Sequence, residues 1–259
     1  MSLTLRLSAD LALASVCRAF SERPAPSPIL QLSAEDFFGL SNAPHSENGE
    51  QATEKFLRSL AEAPGRRSPI VWIGGSEPLD FSEVARFSNT LAASGRNVFL
   101  ETSGASPKPR LHEFQPSPTF YFVIRFNASV LSDAQRQQSE PAYRIGLEAV
   151  RMARLAGFFT CANLVLHAGT PANALERLHS EIRKLDLDGT LITPATFTPE
   201  LQQQVRDARR RLLSRRCVLL SSFLDHAAPL VRSQASQTLE RQPIPESQSR
   251  RVGEGAEAG

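Results

Sequence analysis

With 259 residues and 29 basic against 27 acidic side chains, the chain is nearly charge-balanced, which removes any global electrostatic argument for nucleic acid as a partner. No apolar run reaches the length of about 18 residues that a transmembrane helix needs, and the start lacks the basic and apolar regions of a signal peptide. The three cysteines, Cys17, Cys161 and Cys217, are few, odd in number and far apart; this suits a reducing cytoplasm and argues against a disulfide framework or a metal site built from local spacing.

In chain order, residues 3–15 alternate and predict one or two short strands. Residues 32–38 carry Ser33 followed three positions later by Asp36, the pattern of a capped helix start. A polar stretch at 41–49 breaks that helix, and Phe56, Leu57 and Leu60 place a second helical piece over 50–63. Residues 70–73 read as a strand, 81–94 as a helix stopped by Gly95, and 97–102 as a strand ending at Ser103-Gly104. Residues 111–114 suggest one helical turn, and the aromatic run 120–126 a buried strand. The clearest helix is 141–156, ended by Gly157; a buried strand over 158–167 and an amphipathic helix over 171–185 follow. Residues 190–193 predict a short strand, 199–216 one long helix and 218–220 a last strand. From about Arg232 the chain is polar and poor in apolar residues, so 232–259 is expected to be a disordered tail after a folded unit of 1–231.

About six βα units in succession imply a parallel α/β sheet. Periodicity leaves two architectures open, an open doubly wound sheet and a full or partial barrel.

Gly75-Ser76-Glu77-Pro78 follows a strand and matches G-G-E-P with Ser76 in place of the second glycine. Glu101-Thr102-Ser103-Gly104 is similar to a T-N-G strand end, and residues 188–194 to a sixth barrel strand. In this order and spacing, over roughly residues 3–200, the chain resembles the radical S-adenosylmethionine superfamily. The resemblance implies a partial (β/α)6 TIM-like barrel of mostly parallel strands. Within the superfamily, Leu111-His112-Glu113-Phe114-Gln115-Pro116-Ser117-Pro118, the helix at 149–157 and the strand at 158–165 with Asn163 resemble the hopanoid-biosynthesis branch that attaches an adenosyl group to hopene.

One departure is decisive for the chemistry. Where the superfamily carries C-x-x-x-C-x-x-C, this chain has Cys17, Ser21 and Pro24. Iron–sulfur clusters need soft anionic thiolates, so a 4Fe-4S cluster and any metal ligands are not expected, and Cys17 is read as a small apolar filler. S-adenosylmethionine stays a candidate ligand, because the family's G-G-E-P segment meets its amino group through backbone carbonyls and the acidic side chain. The implied cofactor-binding residues are Gly75, Ser76, Glu77, Pro78, Thr102, Ser103, Gly104, Arg125, Asn127 and Asn163. Barrels gather functional groups at strand carboxyl ends, so Glu77, Thr102, Asn127, Asn163 and Pro194 should share one mouth.

Several of these residues have a second reading. Gly74 and Gly75 can serve the turn alone, and Thr102 and Ser103 can cap it. Arg125, inside an apolar strand, calls for a partner: an anionic ligand group, or Glu77 or Glu101. His167 is read as structural. Arg206, Arg209, Arg210, Arg211, Arg215 and Arg216 form either a solvated face or a docking site for an acidic partner, phosphate or anionic membrane. The function expected is that of a non-catalytic radical SAM-like relative, a pseudoenzyme that binds a small molecule or a protein partner such as an intact paralogue. The alternatives are an enzyme using S-adenosylmethionine or another ligand at the barrel mouth without radical chemistry, or an active radical SAM enzyme with unusual cluster ligands.

Overall fold

A computed structural model of the chain describes residues 5–20, 29–35, 70–105, 110–128, 136–225 and 227–229. Seven parallel strands make one sheet: β1 (Ile29–Ser33), β2 (Ile70–Gly74), β3 (Asn97–Thr102), β4 (Phe120–Asn127), β5 (Phe159–Leu166), β6 (Gly189–Pro194) and β7 (Ala228–Pro229). Their order is β6-β5-β4-β3-β2-β1-β7, so β1 to β6 each lie beside their sequence neighbour. The winding never reverses, as it would in a doubly wound sheet. The architecture is therefore the partial TIM-like barrel, with β7 added beside β1.

Helices α1 (Leu5–Phe20), α2 (Val84–Ala93), α3 (Arg136–Leu155), α4 (Ala172–Arg183), α5 (Pro199–Leu212) and α6 (Arg215–Leu224) cover the sheet. Every residue of β2 and β3 is buried, the sign of a sheet covered on both faces. On the convex face, Phe87 of α2 packs with Phe114, Phe120, Phe122 and Phe158, while Leu164 and Ile192 of the sheet pack with Leu175 and Leu178 of α4 and Val205 of α5. Fully burying one such side chain contributes about 1.5–3 kcal/mol.

The concave face has its own core. Trp72, Phe99, Tyr121 and Phe159 occupy one register row across β2 to β5. Their rings stack in sequence, Trp72 on Phe99 at 5.6 Å and Phe99 on Tyr121 at 4.5 Å between centroids. Leu7 and Leu11 of α1 and Cys217, Leu220 and Phe223 of α6 close over this row.

Five of the sequence expectations need correction. Residues 5–20 form α1, not strands, because Leu7 and Leu11 sit one helical turn apart on the buried face and the residues between favour helix. Leu32 and Ser33 lie in β1 rather than at a helix start, paired with Ile73 and Gly74 of β2. The long helix expected at 199–216 is two, since Leu213 is extended (φ −101°, ψ 153°) and the Ser214 hydroxyl accepts from the Cys217 amide to begin a new helix. Residues 218–220 belong to that helix, where Cys217, Leu220 and Phe223 bury one face. The helix expected at 141–156 begins earlier, at Arg136. The second helical piece at 50–63 and the tail at 232–259 lie outside the described residues. No helix among the described residues is long and apolar enough to cross a membrane.

Candidate functional site

The carboxyl ends of β2, β3 and β4 bring most of the sequence-predicted residues into one network. At the exit of β2, Gly75 takes φ +126°, in the region glycine favours, and a Cβ there would lie 2.1 Å from Glu35 Oε2. That space is filled by the Glu35 carboxylate. Ser76 donates both its amide and its hydroxyl to Glu35 Oε1, and the Ser33 hydroxyl donates to Oε2 at 2.9 Å. Burial pushes the Glu35 carboxyl up, but the bonds from Ser76 and then Ser33 outweigh it and hold the pKa at about 2.

Glu77 is 9% exposed and spans from the turn to the end of β3. Its Oε1 accepts from the Thr102 hydroxyl at 2.6 Å and the Leu79 amide at 3.3 Å. Its Oε2 accepts from the Ser103 hydroxyl at 2.7 Å and the Ser103 amide at 3.0 Å. Both oxygens are engaged by the chain's own donors. Pro78 is buried and opens the short 3-10 turn that Glu77 caps. Gly104, at φ +76°, lets the loop after β3 press on α3, where an added Cβ would stand 2.6 Å from the Ala149 Cβ.

Arg125 completes the network from β4. It donates to the Gly75 carbonyl at 2.8 Å and the Ser76 carbonyl at 2.7 Å. The ion pair expected with Glu77 or Glu101 is not made among the described residues. Both carboxylates are committed elsewhere, and the turn's carbonyls offer a cation the remaining acceptors. The guanidinium fits that paired geometry better than a point charge would.

Asn163 lies deeper and does not touch the turn. Its amide donates to Glu101 Oε1 at 2.9 Å, its oxygen accepts from Thr193 at 3.0 Å, and the Trp72 indole donates to Glu101 Oε2 at 3.1 Å. This second network joins β2, β3, β5 and β6 above the aromatic row. Asn127 is exposed at the rim, 3.4 Å from His167, and belongs to neither network. Pro194 ends β6 on the outer edge of the sheet. Glu35, Trp72 and Thr193 are the site residues that sequence reasoning missed. Glu35 carried no signal, because its segment read as a helix start. Of the hopanoid-like segment, Phe114 packs on Phe120 and Phe122 in the convex core, and Leu111 lines a small cavity with Thr102 and Gly104.

A cluster does not fit the residues present. Cys161 and Cys217 are free thiols buried in the concave core, and burial pushes the Cys161 thiol well up, toward the protonated form that binds metal poorly. Cys17 lies on α1, so at most one of the chain's three cysteines is left for a site that needs several thiolates.

The arginines expected to form one basic face divide into several roles. Arg209 is buried, donating to the Ile192 carbonyl at 2.8 Å and to Asp225. Arg211 pairs with Glu176 at 3.1 Å, and Arg206 bonds Gln203.

No family model matches the chain, and no curated protein is significantly similar to it. Solved structures do share its fold. Streptococcus suis SuiB bound to S-adenosylmethionine matches at a TM-score of 0.52 and 11% identity, over 77% of this chain and 52% of that one. SuiB bound to the precursor peptide SuiA matches at 0.53 and 11%, over 77% and 50%. The chain thus spans about half the length of the solved structures it matches. These likenesses agree with the fold as an α/β partial barrel of parallel strands.

Proposed function

We propose that this protein is a cluster-free, non-catalytic relative of radical SAM enzymes that binds a ligand or a protein partner. The observation that carries this reading is the saturation of the Gly75–Pro78 turn by the chain's own groups. Arg125 takes the two carbonyls, Glu35 takes the Ser76 amide and hydroxyl, and Thr102 and Ser103 take the Glu77 carboxylate. A ligand's ammonium group would find the acceptors of this turn already in use. The buried free thiols Cys161 and Cys217 support a reducing, cytoplasmic setting.

A second reading rests on the same carbonyl pair. Two backbone oxygens that hold a guanidinium can hold another cation, so S-adenosylmethionine could enter if Arg125 withdrew. The same fold relative, SuiB, is bound to that molecule in one structure and to a precursor peptide in another, which makes both ligand classes worth testing here.

Calorimetric titration of the full chain with S-adenosylmethionine separates the two readings. The wild type is expected to give no binding heat at millimolar ligand. Binding that emerges only in Arg125→Ala identifies the guanidinium as the occluding group, and its absence in both proteins also agrees with the first reading. Micromolar binding by the wild type would show that the turn is not occluded and would remove the observation on which the first reading rests, in favour of the second.

A further inference from the structure

On the far side of β6 from the mouth, the α5–α6 junction carries a feature independent of the barrel mouth. Arg210 and Leu213 from the end of α5, with Arg215, Val218, Leu219 and Ser222 of α6, line an open groove of about 400 Å³. The α6 residues recur at helical spacing and form one face, with Arg215 exposed and the other three half-buried. No acidic residue lines the groove.

The charges here are left over from the fold. Neither Arg210 nor Arg215 has an ion-pair or hydrogen-bond partner among the described residues, while Arg209, Arg211 and Arg206 are all engaged. Local energetics do not account for Arg215. It stands in the first turn of α6, which contains no acidic residue, at the helix end where a cation is disfavoured by the helix dipole. An anion placed between Arg210 and Arg215 would gain from both guanidiniums and from the same helix end.

We infer that this groove docks an acidic peptide segment, its carboxylates against Arg210 and Arg215 and its aliphatic side chains against Leu213, Val218 and Leu219. Charge complementarity selects an anionic partner, and the aliphatic strip selects one with apolar side chains between its charges. A lipid surface is the weaker match, because electrostatic attachment to membranes uses clusters of about 4–8 basic residues and the groove presents a single free pair.

The test is fluorescence anisotropy of the full chain with a short labelled peptide of Glu and Leu. A Lys and Leu peptide of equal length and phosphatidylserine vesicles serve as comparisons. The Glu and Leu peptide is expected to bind, and Arg210→Glu with Arg215→Glu, both at exposed positions, to weaken it by about tenfold or more. Arg206→Glu, which reverses a charge outside the groove, should leave binding nearly unchanged. The inference is overturned by absence of binding to the wild type, as would follow if residues 230–259 filled the groove. Equal losses from the two charge reversals, equal binding of the Lys and Leu peptide, or capture by vesicles in place of the peptide would overturn it as well.

Discussion

Arg209→Met is expected to destabilise the protein by about 3–5 kcal/mol, the usual cost of removing one member of a buried ion pair. Arg209 is 2% exposed and lies where the chain passes from the convex layer, in α5, to the concave layer, in α6. Its Nε donates to the Ile192 carbonyl of β6 at 2.8 Å, and its two terminal nitrogens clasp Asp225 at the end of α6. One side chain thus ties the edge strand to the helices on either side of it. Removing it leaves the Asp225 carboxylate, whose side chain is 18% exposed, without its cation, and the Ile192 carbonyl without its donor. Combining Arg209→Met with Asp225→Leu should recover most of the loss, because an apolar pair of similar volume avoids the stranded charge. Chemical denaturation of both variants checks this. A single-variant cost below about 1 kcal/mol would assign the pair a surface-like role instead.

Glu77→Ala is expected to cost about 2–4 kcal/mol, since hydrogen bonds to a charged acceptor contribute about 1.5–3 kcal/mol each and losses within one network do not add fully. The carboxylate organises more than its direct donors. Thr102, held by Glu77, accepts from the Gly104 amide at 2.9 Å, and Ser103 accepts from the Ala105 amide at 3.2 Å. Removing the carboxylate should therefore loosen the whole loop after β3. Loss of stability accompanied by faster hydrogen exchange at the Ser103 amide is the expected pair of results. Unchanged stability would mean that Glu77 is held in reserve for a ligand.

The sheet was legible because β2 to β6 are apolar runs bounded by glycine, proline or polar turns, and fully buried parallel strands leave that mark. The barrel required the family resemblance, since periodicity does not report strand order. The amino-terminal helix was missed because the alternation at residues 3–7 mimics a strand, whereas the Leu7–Leu11 spacing acquires meaning only once a concave face exists to receive it. The last helix was missed for a related reason: Val218-Leu219-Leu220 reads as a strand until Cys217 and Phe223 show which side is buried.

Of the five residues that the strand-end rule placed at one mouth, Glu77 and Thr102 meet, whereas Asn163 bonds Glu101 and Thr193, Asn127 lies at the rim and Pro194 ends the edge strand. What it could not supply was how they bond. Arg125 was expected to seek a carboxylate, but it binds main-chain carbonyls, and any residue sequence supplies those. Glu35 comes into place only through the pairing of Ser33 with Gly74 across β1 and β2, a register that no local pattern announces.

The most direct test of the account is iron and sulfide analysis of the full chain after anaerobic reconstitution. With two of three cysteines in the apolar core, the preparation should stay colourless and hold far less than one iron per chain. About four irons and four sulfides per chain, with the absorbance of an intact cluster, would show that this barrel keeps its metal centre and would contradict the reading of a cluster-free binding protein.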